Sequence, residues 1–208
     1  MDRRLRVLLL SVVAVCISAA LIVGGTYALF SDQVIIDNHL QSGSLEIGLE
    51  RVGYQICTLE DDGTLGTSAN DTTVVDLTKD ASTLFHIDKA VPGSWCQAEI
   101  KVTRMGDVAI DYGVRFIWNE ENDATAEQKI FAQQLRITVT QAGTEKAQFV
   151  LSEAVDVGLG SILVDDGQQS QNFTVKVEFV DSDKNYIVQA ISLDFDLQVY
   201  ATQKITND

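Results

Sequence analysis

The chain has 208 residues, a formal net charge of −15 and 46% hydrophobic residues. Its length suits one domain or two small ones, and its apolar content is sufficient for a buried core. Because so acidic a surface repels polyanions, we exclude nucleic acid and anionic lipid headgroups as partners.

The first 28 residues have the organisation of a signal peptide. Three arginines precede an apolar run over 7–23, and a small-x-small site follows, in which Thr26 and Ala28 are the small residues that a signal peptidase requires. We therefore predict cleavage between Ala28 and Leu29. An uncleaved signal anchor is the alternative, because the apolar run is near the lower limit of a bilayer span. The leader is the only part that we expect to meet a membrane.

Cleavage would leave an apolar, almost uncharged N-terminal segment over residues 29–36. Such a segment can add as a strand to the free edge of a β-sheet in another copy. We predict that residues 29–37 form this donor strand, with the assembly residues Leu29, Phe30, Val34, Ile35 and Ile36. The alternative is an ordinary first strand within its own sheet.

Residues 29–208 are predicted to form a single antiparallel β-sandwich, because many short alternating segments are separated by turn residues. Thr125 and Gln128 resemble a capping box, which predicts one short helix over about 124–134. Surface loops are expected over 60–73 and 155–171, a turn at Pro92-Gly93 and a hairpin turn over 181–185. The predicted strands cover 45–49, 54–59, 74–77, 84–88, 98–103, 108–118, 136–141, 147–151, 173–179 and 187–200.

Several stretches resemble the TasA/camelysin family of secreted Gram-positive proteins. They are Gly24-Gly25-Thr26-Tyr27-Ala28, Phe30-Ser31-Asp32, Asn38, Ser42-Gly43-Ser44-Leu45-Glu46-Ile47, Val91-Pro92-Gly93, Gly106-Asp107-Val108-Ala109-Ile110 and the run from Phe173 to Gln203. The resemblance implies processing by a SipW-type signal peptidase and a jelly-roll form of the sandwich. It also implies that the protein forms biofilm-matrix fibres at the cell surface by binding other copies of itself. A separate accessory protein that anchors the fibre is compatible with this resemblance.

The cysteines allow two interpretations. Cys16 lies in the leader and lacks the context of a lipoprotein site. Cys57 and Cys96 remain after cleavage, an even number in an oxidising compartment, so they are candidates for a disulfide. Two buried thiols are the alternative.

No catalytic site is visible in the sequence, and we expect neither enzymatic activity nor a cofactor. The two histidines, His39 and His86, do not form the His-Glu-x-x-His arrangement of zinc hydrolases. Nor is there a Gly-x-Ser-x-Gly nucleophile motif. A camelysin-like metallopeptidase therefore remains a minor alternative, beside a monomeric surface-binding module or adhesin.

One segment resembles part of a calcium loop. Asp181, Asp183 and Asn185 match the first three ligand positions of an EF-hand, but Tyr186 occupies the position of its glycine. Because Asp and Asn also stabilise turns, a plain turn is the favoured interpretation. Trp95 and Trp118 are likewise assigned to packing rather than to a sugar-binding platform.

Overall fold

A computed structural model describes residues 44–78, 84–87, 90–118, 121–153, 155–164 and 167–204. The strands are β1 Ile47–Leu59, β2 Leu65–Thr67, β3 Val75–Asp76, β4 Trp95–Arg104, β5 Ile110–Ile117, β6 Leu135–Gln141, β7 Thr144–Val150, β8 Asp156–Ile162, β9 Ser170–Phe179 and β10 Asp196–Gln203. One helix, α1, spans Ala126–Gln134. No helix among these residues is both long and apolar enough to traverse a bilayer.

The strands form two antiparallel sheets, which we call the large and the small sheet. The large sheet has the order β2-β1-β4-β9-β6-β7, with β3 also paired to β1, and the small sheet has the order β10-β5-β8. The predicted all-β sandwich with one short helix is confirmed. From β4 onward the chain changes sheet at every connection except β6–β7, as in a jelly roll.

Alternation of side chains places the core between the sheets. In β4, Cys96, Ala98, Ile100 and Val102 are at most 1% exposed, while the residues between them point outward. Their counterparts on the small sheet are the buried apolar residues of β5. Burial of these facing rows is the main stabilising contribution, at about 25 cal/mol per Å² of apolar surface.

A partly buried polar cluster joins the two sheets at one end of the core. The Tyr112 hydroxyl of β5 donates to Gln171 Oε1 at 3.0 Å, and Gln141 Nε2 donates to that hydroxyl at 2.8 Å. Burial raises the pKa of Tyr112 to about 12. The phenol therefore stays protonated and keeps its role as a donor at any ordinary pH.

Helix α1 begins as the sequence predicts. The Thr125 side chain accepts a hydrogen bond from the Gln128 backbone, and the Gln128 side chain accepts one from the Thr125 backbone. This capping box satisfies two N–H groups that a helix start otherwise leaves unpaired.

Several predicted segments differ from the structure. The strands expected over 45–49 and 54–59 are one strand, β1, whose register shifts between Arg51 and Gly53. The loop over 60–73 contains β2, and the loop over 155–171 contains β8. The described residues 84–87 form no strand.

The predicted hairpin over 181–185 is also wrong. The strand before it, β9, belongs to the large sheet, whereas the next strand, β10, belongs to the small sheet. The strand predicted over 187–200 begins only at Asp196. The segment between β9 and β10 is therefore a connection between layers, built from consecutive turns.

Candidate functional site

The predicted cleavage and assembly residues lie outside the described part of the chain. This applies to Thr26, Ala28 and Leu29 at the cleavage site, and to Phe30, Val34, Ile35 and Ile36 in the donor strand. The described structure shows two other features. One fixes the start of the sandwich, and the other is an open sheet edge.

The start of the described chain is clamped against the turn between β4 and β5. The Ser44 backbone N–H donates to Asp107 Oδ1 at 2.5 Å, and the Asp107 backbone N–H donates to the Ser44 carbonyl oxygen at 3.2 Å. The N–H groups of Met105 and Gly106 both donate to the Glu46 carbonyl oxygen. These paired bonds hold Ser44 and Glu46 beside the turn between β4 and β5.

Gly106 is required for this clamp. A Cβ atom at Gly106 would lie 2.1 Å from the Ser44 carbonyl oxygen and 2.9 Å from the Glu46 nitrogen. The described part of one motif block, Ser44–Ile47, thus meets the block Gly106–Ile110, which lies about sixty residues later in the sequence.

Most edge strands in the described sheets are short or irregular. On one side of the large sheet, β2 and β3 pair with β1 through three and two residue pairs. On the other side, the pairing of β7 shifts register between Val139 and Thr140. In the small sheet, β8 shifts register opposite Tyr112 and Gly113, beside Gly160 at φ +119°. Short strands and bulges protect an edge against further pairing.

Strand β10 is different, because it is a long and regular edge. Its eight residues pair with β5 from Asp196–Ile117 to Gln203–Ile110 without a register shift. The Lys204 N–H donates to the Ala109 carbonyl oxygen at 2.8 Å, which fixes the phase of the ladder. Because antiparallel bonds alternate, the N–H and C=O groups of Leu197, Val199, Ala201 and Gln203 point away from β5.

The inward side chains of β10 are incompletely covered. Leu197, Val199 and Ala201 are half-buried, whereas their neighbours on β5, Val114 and Phe116, are at most 3% exposed. The chain before β10 continues the same half-buried apolar row with Ile191, Leu193 and Phe195. An apolar row beside backbone groups that no described strand pairs with is the arrangement that accepts an added strand.

Among the described residues, the short segment 84–87 contacts this side of the sandwich. The Phe85 ring stacks on Phe195 with centroids 6.2 Å apart. Next to it, the Tyr54 hydroxyl of β1 lies 3.5 Å from the His86 carbonyl oxygen. We call β10, its half-buried row and residues 84–87 the open flank.

Side-chain contacts on the outer face of the small sheet connect its neighbouring strands. Arg115 on β5 forms a bidentate ion pair with Asp156 on β8, at 2.5 and 2.6 Å. This hydrogen-bonded pairing lowers the pKa of Asp156 and raises that of Arg115. Tyr200 of β10 covers Gly113, where a Cβ atom would lie 2.5 Å from the phenol oxygen. The ion pair therefore joins β5 to β8, and the contact between Tyr200 and Gly113 joins β10 to β5.

The two cysteines of the domain are separate buried thiols. Cys57 pairs with Trp95, and Cys96 pairs with Ile56, so the two lie on adjacent strands but one position out of register. Successive side chains of a strand point to opposite faces, so the two sulfur atoms lie on opposite faces of the large sheet. Burial raises the pKa of the Cys96 thiol to about 12.

The candidate calcium residues contact one another. Asn185 Nδ2 donates to Asp181 Oδ1 at 2.5 Å, and Ser182 Oγ lies 3.3 Å from Asp183 Oδ1. Across the described residues, no group of three or more His, Cys, Asp or Glu side chains is placed to hold a metal ion. The contacts at 181–185 are those of a turn.

Sequence patterns did not identify β10 as the open edge. Its alternation is as regular as that of β4 and β9, which lie inside the large sheet. Whether a strand is central or peripheral depends on which partners it finds, and alternation does not encode that. The one local signal was the long connection before β10, which separates it from β9.

Within the described residues, the fold and the open flank define a β-sandwich with one long, regular edge strand and with Ser44 clamped at the turn between β4 and β5. Residues 5–61 match the model of the camelysin metallo-endopeptidase family. The resemblance to the TasA/camelysin family is thereby confirmed over this part of the chain. No curated protein matches the chain.

The family description raises the question of a metal centre, and the described residues do not fit one. His86 is the only imidazole among them, and no suitable ligand group surrounds it. We therefore derive no catalytic step through a metal ion.

Proposed function

We propose that the protein is a secreted, non-catalytic structural protein that assembles head-to-tail into fibres at the cell surface or in the extracellular matrix. A SipW-type peptidase would cleave before Leu29, and residues 29–36 would then add as a strand to β10 of the next copy. The observation that carries the proposal is the open flank, a regular strand edge beside a half-buried apolar row.

The donor segment has the chemistry that this edge requires. In an extended strand, Phe30, Val34 and Ile36 lie on one face, where they can cover the half-buried row of β10. The backbone supplies hydrogen bonds to the unpaired groups of β10, and the apolar face supplies burial.

The length of the donor segment permits addition to a partner copy, and the proposed contact gives an open chain of subunits. Residues 29–43 span at most about 50 Å when extended, enough to reach a neighbouring molecule. Donor and acceptor surfaces differ, so each copy offers one of each and the contact does not close on itself. Cleavage would free the donor strand and act as the trigger.

The first test compares residues 29–208 with residues 37–208 by electron microscopy at rising concentration. We expect filaments from the longer chain only. If the shorter chain forms the same filaments, the donor strand is not residues 29–36. If both chains stay monomeric, the monomeric binding module becomes the better proposal.

The second test blocks the acceptor edge in the longer chain. Ala201→Pro removes an N–H group that points away from β5, so the small sheet keeps its own ladder while the free edge loses a donor. Val199→Lys places a charge in the half-buried row, as natural edge strands do to prevent pairing. We expect filaments to disappear in both variants with thermal unfolding still cooperative.

Thr202→Lys is the matched control for the edge. It lies on β10 but on the outer face of the small sheet, with its backbone bonded to β5. Filaments should form as in the unaltered chain. Normal filaments from both Ala201→Pro and Val199→Lys would exclude β10 as the acceptor.

A further inference from the structure

A polar groove lies on the outer face of the large sheet, away from the open flank. Its volume is about 550 Å³, which is within the range of small-ligand sites. The floor is formed by outward residues of β4, β6 and β9, and one wall by the turn at Ala142-Gly143.

The groove exists because β9 continues past the end of β6. The last pair between them joins Gln141 to Phe173, whereas Ser170 and Asn172 still pair with β4 on the other side. The Val180 N–H donates to the Gln134 carbonyl oxygen, which sets the alternation of the β6–β9 ladder. By that alternation, the backbone N–H and C=O of Asn172 point into the groove.

The side chains of the floor are hydroxyls, amides and one carboxylate. Glu99, Thr174 and Thr140 form one row across the three strands, and Asn172 and Ser170 follow at the open end. Asn172 Nδ2 donates to Glu99 Oε1 at 2.8 Å, which orients both groups. This floor offers donors and acceptors at the spacing of adjacent strands.

The charge of the groove selects among ligand classes. Among the described residues, Glu99 is the only charged residue of the lining, so an anion is repelled by it and by the acidic protein as a whole. A single carboxylate is a poor divalent-cation site, because calcium takes six to eight oxygen ligands. The outward residues are polar, so an apolar ligand gains little burial. A neutral ligand rich in hydroxyl groups satisfies all three conditions.

We propose that this groove binds an uncharged oligosaccharide segment, with Glu99 accepting from vicinal hydroxyls and Asn172 donating through its amide. The site belongs to a single copy of the chain and does not depend on fibre formation. Repetition of such weak sites along any assembly would increase the avidity for a polysaccharide.

The test begins with the full chain on a microarray of neutral hexose and N-acetylhexosamine oligosaccharides beside uronic-acid oligosaccharides. The neutral oligosaccharide that binds best is then titrated by calorimetry. Glu99→Gln should weaken binding about tenfold or more, because it removes a charged acceptor, and Asn172→Ala should weaken it about threefold or more, because it removes a neutral donor.

Gln148→Ala is the matched control, since Gln148 lies on the same sheet face, bonded to Thr138, but outside the groove. The affinity of Gln148→Ala for the neutral oligosaccharide should equal that of the unaltered chain. Thermal melts of all variants should also match that of the unaltered chain. Absence of neutral binding, preference for uronic acids, or unchanged affinity in both groove variants would overturn the proposal.

Discussion

At the residue scale, Gly106 shows how one missing side chain connects two distant parts of the chain. The Ser44 carbonyl oxygen and the Glu46 nitrogen both occupy space that a Cβ atom would need. Both neighbours are backbone atoms of β1 or of its start, so neither can move without disturbing the ladder to β4.

We therefore predict that Gly106→Ala lowers the free energy of unfolding by about 1–3 kcal/mol, the usual cost of forcing an atom into an occupied site. Urea titration followed by circular dichroism measures it. Gly158→Ala is the control, because nothing lies within 4 Å of a Cβ atom there. Equal midpoints for the two variants would show that the clamp is looser than described.

At the element scale, ion pairs on the outer face join neighbouring strands of the large sheet. Glu178 on β9 accepts from Arg136 on β6 at 3.1 Å and from Lys176 at 3.2 Å. Partial burial raises the pKa of Glu178, but the hydrogen bonds from Lys176 and Arg136 outweigh it, so its pKa lies below the ordinary value.

This lowered pKa has a definite effect on stability. A carboxyl group whose pKa is lower in the folded state contributes stability above its unfolded pKa of about 4.3, and loses it as the pH falls through the folded value. Glu178→Gln should therefore cost about 0.5–1 kcal/mol at pH 7, and the cost should shrink below about pH 4.

Urea titrations of the unaltered protein and of Glu178→Gln from pH 7 to pH 3 measure this difference in the free energy of unfolding. Glu145→Gln, an exposed carboxylate on β7, is the control and should change the unfolding free energy by less than about 0.5 kcal/mol. A cost for Glu178→Gln that stays constant down to pH 3 would contradict the assignment.

The individual strands and the helix differ in how well the sequence predicts them. Strands β4, β6 and β9 were predictable because every second residue is apolar and buried, and α1 because its capping box is local. Strand β8 was missed, since Gly158 and Gly160 occupy alternate positions and mimic a loop. The bulge of β1 made one strand look like two. The false hairpin at 181–185 had suitable turn residues, but the pairing of β9 and β10 is decided by distant partners.

The candidate site was less predictable than the fold. The clamp joins residues about sixty positions apart, and the open flank depends on β10 having one neighbour instead of two among the described strands. Neither the clamp nor the open flank can be predicted from a local sequence pattern. The groove arises from the unequal lengths of β6 and β9, which a sequence gives only to within a few residues.

At the scale of the whole molecule, charge opposes association while the open flank favours it. The chain carries −15, so copies repel one another at long range. Salt screens this repulsion, because the Debye length falls from about 10 Å at 0.1 M to about 3 Å at 1 M.

Filament formation by residues 29–208 should therefore accelerate as sodium chloride rises from about 0.1 M to about 1 M. Light scattering gives the rate, and electron microscopy confirms the product. Residues 37–208 serve as the control for precipitation unrelated to the donor strand. A rate that falls with salt would mean that attraction between opposite charges, rather than strand addition, drives the assembly.

The clamp at Ser44 has a mechanical consequence. Tension on the N-terminal segment would enter the domain at the start of β1 and run along that strand. The ten residue pairs that join β1 to β4 would then be loaded together, in shear, rather than opened one after another. In a fibre built as proposed, the added strand would lie along β10 and be loaded in the same way. Each subunit would thus resist stretching along the direction in which its backbone ladders are strongest.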